Sequence, residues 1–372
     1  MSLPPPRKNK PPYRVPLMSE INSIPWNGFN VVSTFSGCGG SCLGYRMAGF
    51  KVLWANEFLP KAQESYKVNH PDSILDGRSI IDIQPQEIIN AIGGAEIDIL
   101  DGSPPCQAFS MAGQREKGWG KAKKYENGKE QCNENMFFEY IRLLKGLQPK
   151  VFIAENVKGL TIGTAKKIMG DFQDDMFDSQ DNTILRQLMD CGYKVEFRVL
   201  NAANYGVPQN RVRVIFQGVR RDLNINPVWP KPLRWIYSVV DSCYWVGLAK
   251  GENKFLIEPE SCLKKYSTGK EWEKLKPGEQ SDKYFSEIKV DPSKPSPTIL
   301  ASHGSPGIAS PVHPFECRKF SIAEIKRLTS FPDDFVLIGS YAQQWERIGN
   351  SVAPVFMKHI ATAIRDNILM KL

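Results

Sequence analysis

The sequence predicts an α/β protein: an open sheet with helices on both faces, joined by a second, smaller domain. Three observations predict it. From Asn30 onward, short apolar runs alternate with helical stretches, which is how strands and crossover helices read. Several of those runs end directly in glycine, proline or polar residues. After Arg221 the alternation stops, and prolines and scattered charge take over.

Taken in order, residues 1–25 read as a basic, proline-rich tail, with six prolines by Pro16 beside Arg7, Lys8, Lys10 and Arg14. Proline removes donors and fixes φ, so this stretch does not easily join a helix or a central strand. Its charge suits a nucleic-acid backbone or plain solvent. Val31–Phe35 reads as the first strand, 41–48 as a helix, and Lys51–Glu57 as the second strand. Ile97–Leu100 and Val151–Ala154 follow as the third and fourth strands. Between them lies a helix over Asn135–Leu147, with Phe138, Ile141 and Leu144 at core-facing spacing. Val195–Leu200 and Arg211–Gly218 complete the strands. Residues 26–221 with 318–372 therefore form the main domain, and 222–317 the smaller one. Ser321 with Glu324 three residues on marks a capping box. Phe356, Ile360, Ile364 and Ile368 recur every fourth residue, one apolar face that should dock on the main domain.

Composition narrows the class. The chain has 372 residues, 41% of them hydrophobic, which is enough for a sizeable core and excludes wholesale disorder. No apolar run is long enough to span a bilayer, and no signal peptide opens the chain, so no membrane association is expected. Lys and Arg number 48 against 40 Asp and Glu, a balance of +8 that permits a polyanionic partner. The eight cysteines lack paired spacing, which favours free thiols over a disulfide framework or a zinc site. No metal is expected.

Three stretches carry chemistry. Phe35-Ser36-Gly37-Cys38-Gly39-Gly40 follows a strand and opens a helix, so backbone can approach a ligand closely. Twenty residues after Gly37 stands Glu57, at the end of the second strand, where a carboxylate meets a ribose diol. NAD, FAD and S-adenosylmethionine all fit this pair, although the G-x-G-G spacing argues against a dinucleotide. A tight turn without any ligand reads the same way. Asp101 adds a polar group at the same sheet edge. Next, Ser103-Pro104-Pro105-Cys106 pins a cysteine in a rigid turn, either an inert thiol or an activated one. Glu155-Asn156-Val157 places an acid at the adjacent strand end, as a helix cap or as a group that holds a proton. Finally, Arg211 and Arg213 are two apart in a strand and so share a face, where they either meet a common anion or simply face solvent.

In this order the motifs resemble the cytosine-C5 DNA methyltransferase family, over about 30–220 and 318–368. The glycine-rich motif is Phe35–Gly40, the ribose-binding acid Glu57, the Pro-Cys motif Pro105-Cys106-Gln107, and the Glu-Asn-Val motif Glu155–Val157. The Gln-x-Arg-x-Arg signature is Gln209–Arg213, preceded by Asn204–Pro208. Arg318–Phe335 resembles the segment closing the target-recognition domain, and Gly349-Asn350-Ser351-Val352 the last motif, which returns to the cofactor. The resemblance implies a Rossmann-like, S-adenosylmethionine-dependent methyltransferase domain with a target-recognition domain at 222–317. It implies a cofactor site of Phe35–Gly40, Glu57, Phe58, Ile80, Asp101, Pro104, Asn350, Ser351 and Val352. Catalysis would fall to Cys106 as the nucleophile at cytosine C6, Glu155 at N3 and N4, and Arg213 at O2, with Arg211 in support. Residues 108–133 would close over a flipped base in duplex DNA, with Gln107, Ser110, Gln114 and Arg115 as the substrate loop. Two features depart from the family pattern: Ser79-Ile80 stands where an acid often precedes Ile, and 222–317 carries no motif beyond Pro297-Thr298-Ile299.

A monomer is expected, cytoplasmic and nucleoid-associated if bacterial, of the bacterial or phage restriction–modification type, with any cognate restriction endonuclease acting separately. A nuclear location stays open. The alternatives are a tRNA cytosine-C5 methyltransferase, whose Cys-Phe-Thr element is absent at Cys243 and Cys262, an inactive DNA-binding homologue, and a flavin or nicotinamide oxidoreductase.

Overall fold

Neighbouring residues on the central strands enter two different cores. Val31, Ile99, Ile153 and Ile215 join one apolar cluster, while Val32, Leu100, Phe152 and Phe216 join another. Side chains alternate across a strand, so consecutive apolar residues demand cover on both faces, as in a parallel sheet. The computed structural model describes residues 10–105, 123–124, 130–131, 136–157, 184–243, 257–284, 287–305, 307 and 310–372.

The strands are β1 (Asn30–Thr34), β2 (Lys51–Asn56), β3 (Ile74–Asp76), β4 (Ile99–Gly102), β5 (Lys123–Lys124), β6 (Glu130–Gln131), β7 (Val151–Val157), β8 (Tyr193–Asn201) and β9 (Val212–Arg220). Seven of them form one sheet in the order β3-β2-β1-β4-β7-β9-β8. Every pair from β3 to β7 is parallel, while β9 runs antiparallel to both β7 and β8. The strand order reverses between β1 and β4, which opens a crevice at their carboxyl ends. β5 and β6 make a separate two-stranded antiparallel ladder.

The helices are α1 (Met18–Asn22), α2 (Gly40–Met47), α3 (Pro60–Asn69), α4 (Pro85–Ala91), α5 (Met136–Leu147), α6 (Ile184–Asp190), α7 (Val239–Cys243), α8 (Ser267–Trp272), α9 (Ile322–Leu328), α10 (Tyr341–Asn350) and α11 (Pro354–Asn367). Proline occupies the first turn of α3, α4 and α11, where its missing N–H costs nothing. The capping box at α9 is present: Ser321 Oγ accepts from Glu324 N, and Glu324 Oε2 accepts from Ser321 N. Phe356, Ile360 and Ile364 of α11 are buried, as the four-residue repeat requires. They seat α11 against α2, where a Cβ on Gly44 would lie 2.6 Å from Met357 Cβ.

The fold is the α/β class that the alternating pattern predicts, with local differences. Phe138 is 43% exposed, because the buried face of α5 runs through Phe137, Tyr140, Ile141 and Leu144 instead. β3 was not anticipated. The proline-rich leader also holds α1: Ile21 is buried, Met18 N donates to Asp334, and Tyr13 packs edge-on against Tyr237. Apolar side chains between the prolines anchor it. Among the described residues, none in 222–317 joins the seven-stranded sheet. They pair instead through isolated bridges such as Lys289–Val312 and Cys262–Arg318, around Leu263 and Val312. No helix among the described residues is long and apolar enough to cross a membrane.

Candidate active site

The turn after β1 is held in conformations that side chains rarely adopt. Phe35, Gly37 and Gly39 have φ of +53°, +59° and +95°. A non-glycine residue at positive φ marks strain that the surrounding structure must impose. Two contacts impose it here. Glu57 Oε2 accepts from Gly37 N at 2.8 Å, and Gly39 N donates to Ser36 O at 2.9 Å. From the other side, the segment after α10 presses on the turn, so that a Cβ on Gly40 would meet Val352 O at 2.5 Å.

These elements enclose a cavity of about 330 Å³ at the crevice between β1 and β4. Of the residues expected at a cofactor, Phe35, Ser36, Gly37, Gly40, Glu57, Phe58, Ile80, Pro104, Asn350, Ser351 and Val352 line it. Glu57 is buried at the end of β2. Its Oε1 accepts from Leu59 N at 2.6 Å. Burial raises its pKa, while the Leu59 N–H, Arg347 and the Gly37 N–H pull it back. A carboxylate has about four acceptor sites, so both oxygens keep capacity for a diol.

The opposite chemistry gathers at the ends of β4, β7 and β9. Ser103, Pro104, Pro105, Glu155, Asn156, Arg211 and Arg213 line the same cavity. Arg213 Nε donates to Glu155 Oε1 at 2.7 Å, and Asn156 Nδ2 donates to Pro104 O at 3.4 Å. Burial lowers the pKa of Arg213, and Glu155 counters that shift. Cys106, Gln107, Ser110, Gln114 and Arg115 lie outside the described residues, as does most of 108–133. The chain reaches the cavity wall at Pro105, one residue before Cys106.

Four expected residues take other roles. Asp101 sits behind the cavity wall, where its carboxylate accepts from Ser41 Oγ at 2.6 Å, Ser33 Oγ at 3.1 Å and the Tyr45 hydroxyl at 3.2 Å. It braces α2 against β1 and lines no part of the cavity. Cys38 is also behind the wall: its thiol contacts Ser351 Oγ at 3.3 Å, and burial pushes its pKa up to about 11. Gly39 caps α2 under the His70 ring, where any Cβ would lie 2.1 Å from Nε2. Arg211 precedes β9 and lines the cavity with Arg213, but its Nη groups are tied to backbone. Its Nη1 donates to Ile299 O at 3.3 Å and its Nη2 to Gly349 O at 3.0 Å. Burial, with Arg213 beside it, pushes its pKa down to about 9, which leaves it charged at neutral pH.

The motif reading missed Asn56, Ser103, Glu346 and Arg347, all at the cavity. Arg347 stands two residues before Gly349, and only the folded chain turns it inward.

A family model described as C-5 cytosine-specific DNA methylase matches residues 29–366. The chain is 32% identical to the Type II methyltransferase M.NgoFVII of Neisseria gonorrhoeae, over 93% of this chain and 89% of that protein. It is 29% identical to the Type II methyltransferase M1.HphI of Haemophilus parahaemolyticus, over 90% and 86%. Among solved structures, a prophage-encoded DNA modification methyltransferase from E. coli superposes with a TM-score of 0.69 at 22% identity, covering 92% of this chain and 99% of that one. DNMT2 of Spodoptera frugiperda superposes with a TM-score of 0.61 at 19% identity, covering 91% and 98%.

Proposed function

The chain belongs to the C-5 cytosine-specific DNA methylase family, and on that premise we propose how its own residues carry the reaction and on what substrate form. The enzyme is a DNA cytosine-C5 methyltransferase, and its methyl donor is S-adenosylmethionine. The cavity fits that donor. Glu57 offers acceptors to a ribose, Phe58 and Ile80 offer apolar walls to a flat base, and the strained turn at Phe35–Gly40 lets backbone approach closely. When bound, the cofactor supplies an electrophilic methyl group.

Cytosine C5 is a poor nucleophile, so the ring must be activated first. We assign that step to Cys106, whose thiolate adds to C6 and makes C5 electron-rich. Glu155 holds a proton at N3 and N4 as the ring gains charge, and Arg213 orients O2. After methyl transfer, a water molecule acting as base takes the C5 proton. The C–H electron pair forms the C5–C6 double bond, expels the Cys106 thiolate and restores the aromatic ring. C6 is inaccessible inside a duplex, so the base is flipped out into the cavity, and 222–317 reads the surrounding sequence. The observation that carries this reading is the Glu155–Arg213 ion pair at the cavity wall, which Pro104 and Pro105, the residues preceding Cys106 in sequence, also line. We further propose that the enzyme acts on duplex DNA as a monomer in the cytoplasm, with any endonuclease separate. The Type II methyltransferase names of the relatives support the restriction–modification part of that reading.

The test is methyl transfer from labelled S-adenosylmethionine to unmethylated plasmid DNA and to bulk tRNA in parallel, with bisulfite sequencing of the product. Label at one repeated cytosine context in DNA, lost in C106A, is expected. A duplex with 5-fluorocytosine at that site should trap the protein covalently, because fluorine cannot leave as the proton does. Preferential label on tRNA, or activity surviving in C106A, would overturn the reading.

A further inference from the structure

The cavity holds a cation that the mechanism above does not use. Arg347, in the last turn of α10, is 5% exposed and lines the cavity. Its Nε is buried without a hydrogen-bond partner. The carboxylate within 4.0 Å of it among the described residues is Glu346, at 3.8 Å from Nη2 and beyond hydrogen-bond reach. Glu57 forms no ion pair with it and already accepts from the Gly37 and Leu59 N–H groups.

Its neighbours make that isolation informative. Arg211 donates to the Ile299 and Gly349 carbonyls, and Arg318 to both oxygens of Glu324. Lys319 donates to the carbonyls of Gly304 and Ser305 at 3.0 Å each and His303 at 3.3 Å. Arg318 and Lys319 are thus matched by acceptors from the protein. Arg211 pairs both of its Nη groups, although its Nε, like that of Arg347, has no partner among the described residues. Of these four cations, Arg347 is the one whose guanidinium meets no acceptor among the described residues. A buried guanidinium left unmatched is costly unless an anion reaches it.

We propose that Arg347 binds the carboxylate of the methionine portion of S-adenosylmethionine. This rests on the cofactor reading above and adds to it the residue that recognises the amino-acid end. Three observations support the assignment. Arg347 lies beside the strained turn, since Cys38 Sγ contacts the Arg347 carbonyl oxygen at 3.8 Å. Its charge reaches Glu57, the acid at the ribose position, so both ends of one small ligand fall within one cavity. And a carboxylate takes a guanidinium in paired hydrogen bonds, which would satisfy the donors this side chain leaves open.

The experiment is calorimetric titration of the full chain with two probes, S-adenosylhomocysteine and 5′-methylthioadenosine. The second keeps adenine, ribose and sulfur but lacks the amino acid. In R347M, affinity for S-adenosylhomocysteine should fall by about tenfold or more, the scale of a charge-assisted hydrogen bond, with 5′-methylthioadenosine unchanged. R347K should fall in between, since it keeps the charge but not the fork. Equal weakening of both probes would mean a structural role, and no weakening of either would mean no role. Both results overturn the proposal. Should the variants melt early, wild type is titrated with decarboxylated S-adenosylmethionine, which should bind about tenfold or more weakly than the intact cofactor; equal binding overturns the proposal. If wild type binds none of these compounds, the cofactor reading itself fails, and the assignment of Arg347 fails with it.

Discussion

Arg213 Nε reaches Glu155 Oε1 at 2.7 Å across two adjacent antiparallel strands, with both side chains about nine-tenths buried. Removing either partner leaves the other charge desolvated and unpaired. R213A and E155A should each lower stability by about 3 kcal/mol, and the double variant should cost clearly less than their sum. Urea unfolding of the four proteins checks this. Strict additivity would mean that the pair is not coupled and that each group is held by other contacts.

Asp101 makes a pH-dependent contribution of defined sign. Burial raises its pKa from 3.8 to about 6, despite the three hydroxyls that favour the anion. The folded state therefore binds this proton more tightly than the unfolded state, and this group's contribution to stability falls as pH rises through about 4 to 6. D101N lacks the ionisation. The stability of D101N minus that of wild type should rise across this window by up to about 3 kcal/mol and then level off. His70, pushed down to about 3 by burial, acts oppositely in both proteins and cancels in the difference. A flat difference from pH 4 to 7 would contradict the buried anion.

Gly39 has no room for a methyl group. Its φ is +95°, and a Cβ would sit 2.1 Å from the His70 ring. G39A should cost about 1–3 kcal/mol and weaken S-adenosylhomocysteine binding, because the turn must shift away from the cavity. Adding H70A should restore part of the binding by opening space. Full activity in G39A would mean that the turn adapts freely.

Arg211 and Arg347 should separate in experiment although both border the same cavity. Arg211 ties the Ile299 segment to Gly349, one residue before Asn350. R211M should therefore lower the melting temperature and weaken 5′-methylthioadenosine and S-adenosylhomocysteine alike. Discrimination between the two ligands in R211M would give it a direct contact instead.

The sheet was legible because its strands are apolar at successive positions and end in glycine, proline or acid. β3 was not, since three residues of an edge strand, Ile74–Asp76, carry no periodicity to read. Motif spacing brought Glu57, Glu155 and Arg213 to one cavity. It also placed Asp101 and Cys38 at the cofactor, because sequence puts a residue on a strand or in a turn without saying which way its side chain points, and both side chains turn away from the cavity. Arg347 was missed for the converse reason. It lies beside the apolar stripe of Tyr341, Trp345 and Ile348, where an arginine ordinarily meets water, and only the folded chain buries it at the cavity. Phe138 shows the limit of periodicity itself: its flanking neighbours Phe137 and Tyr140 carry the buried face.

The contact between Cys38 and Ser351 joins residues 313 apart in the chain. A ribosome adding 5–20 residues per second needs roughly 15–60 s to travel between them. For that interval the turn at Phe35–Gly40 exists without the segment that presses it into shape. The emerging polypeptide thus carries an unfinished cavity until the segment around Ser351 leaves the ribosome, and the wall that Asn350, Ser351 and Val352 supply arrives long after the turn it closes on.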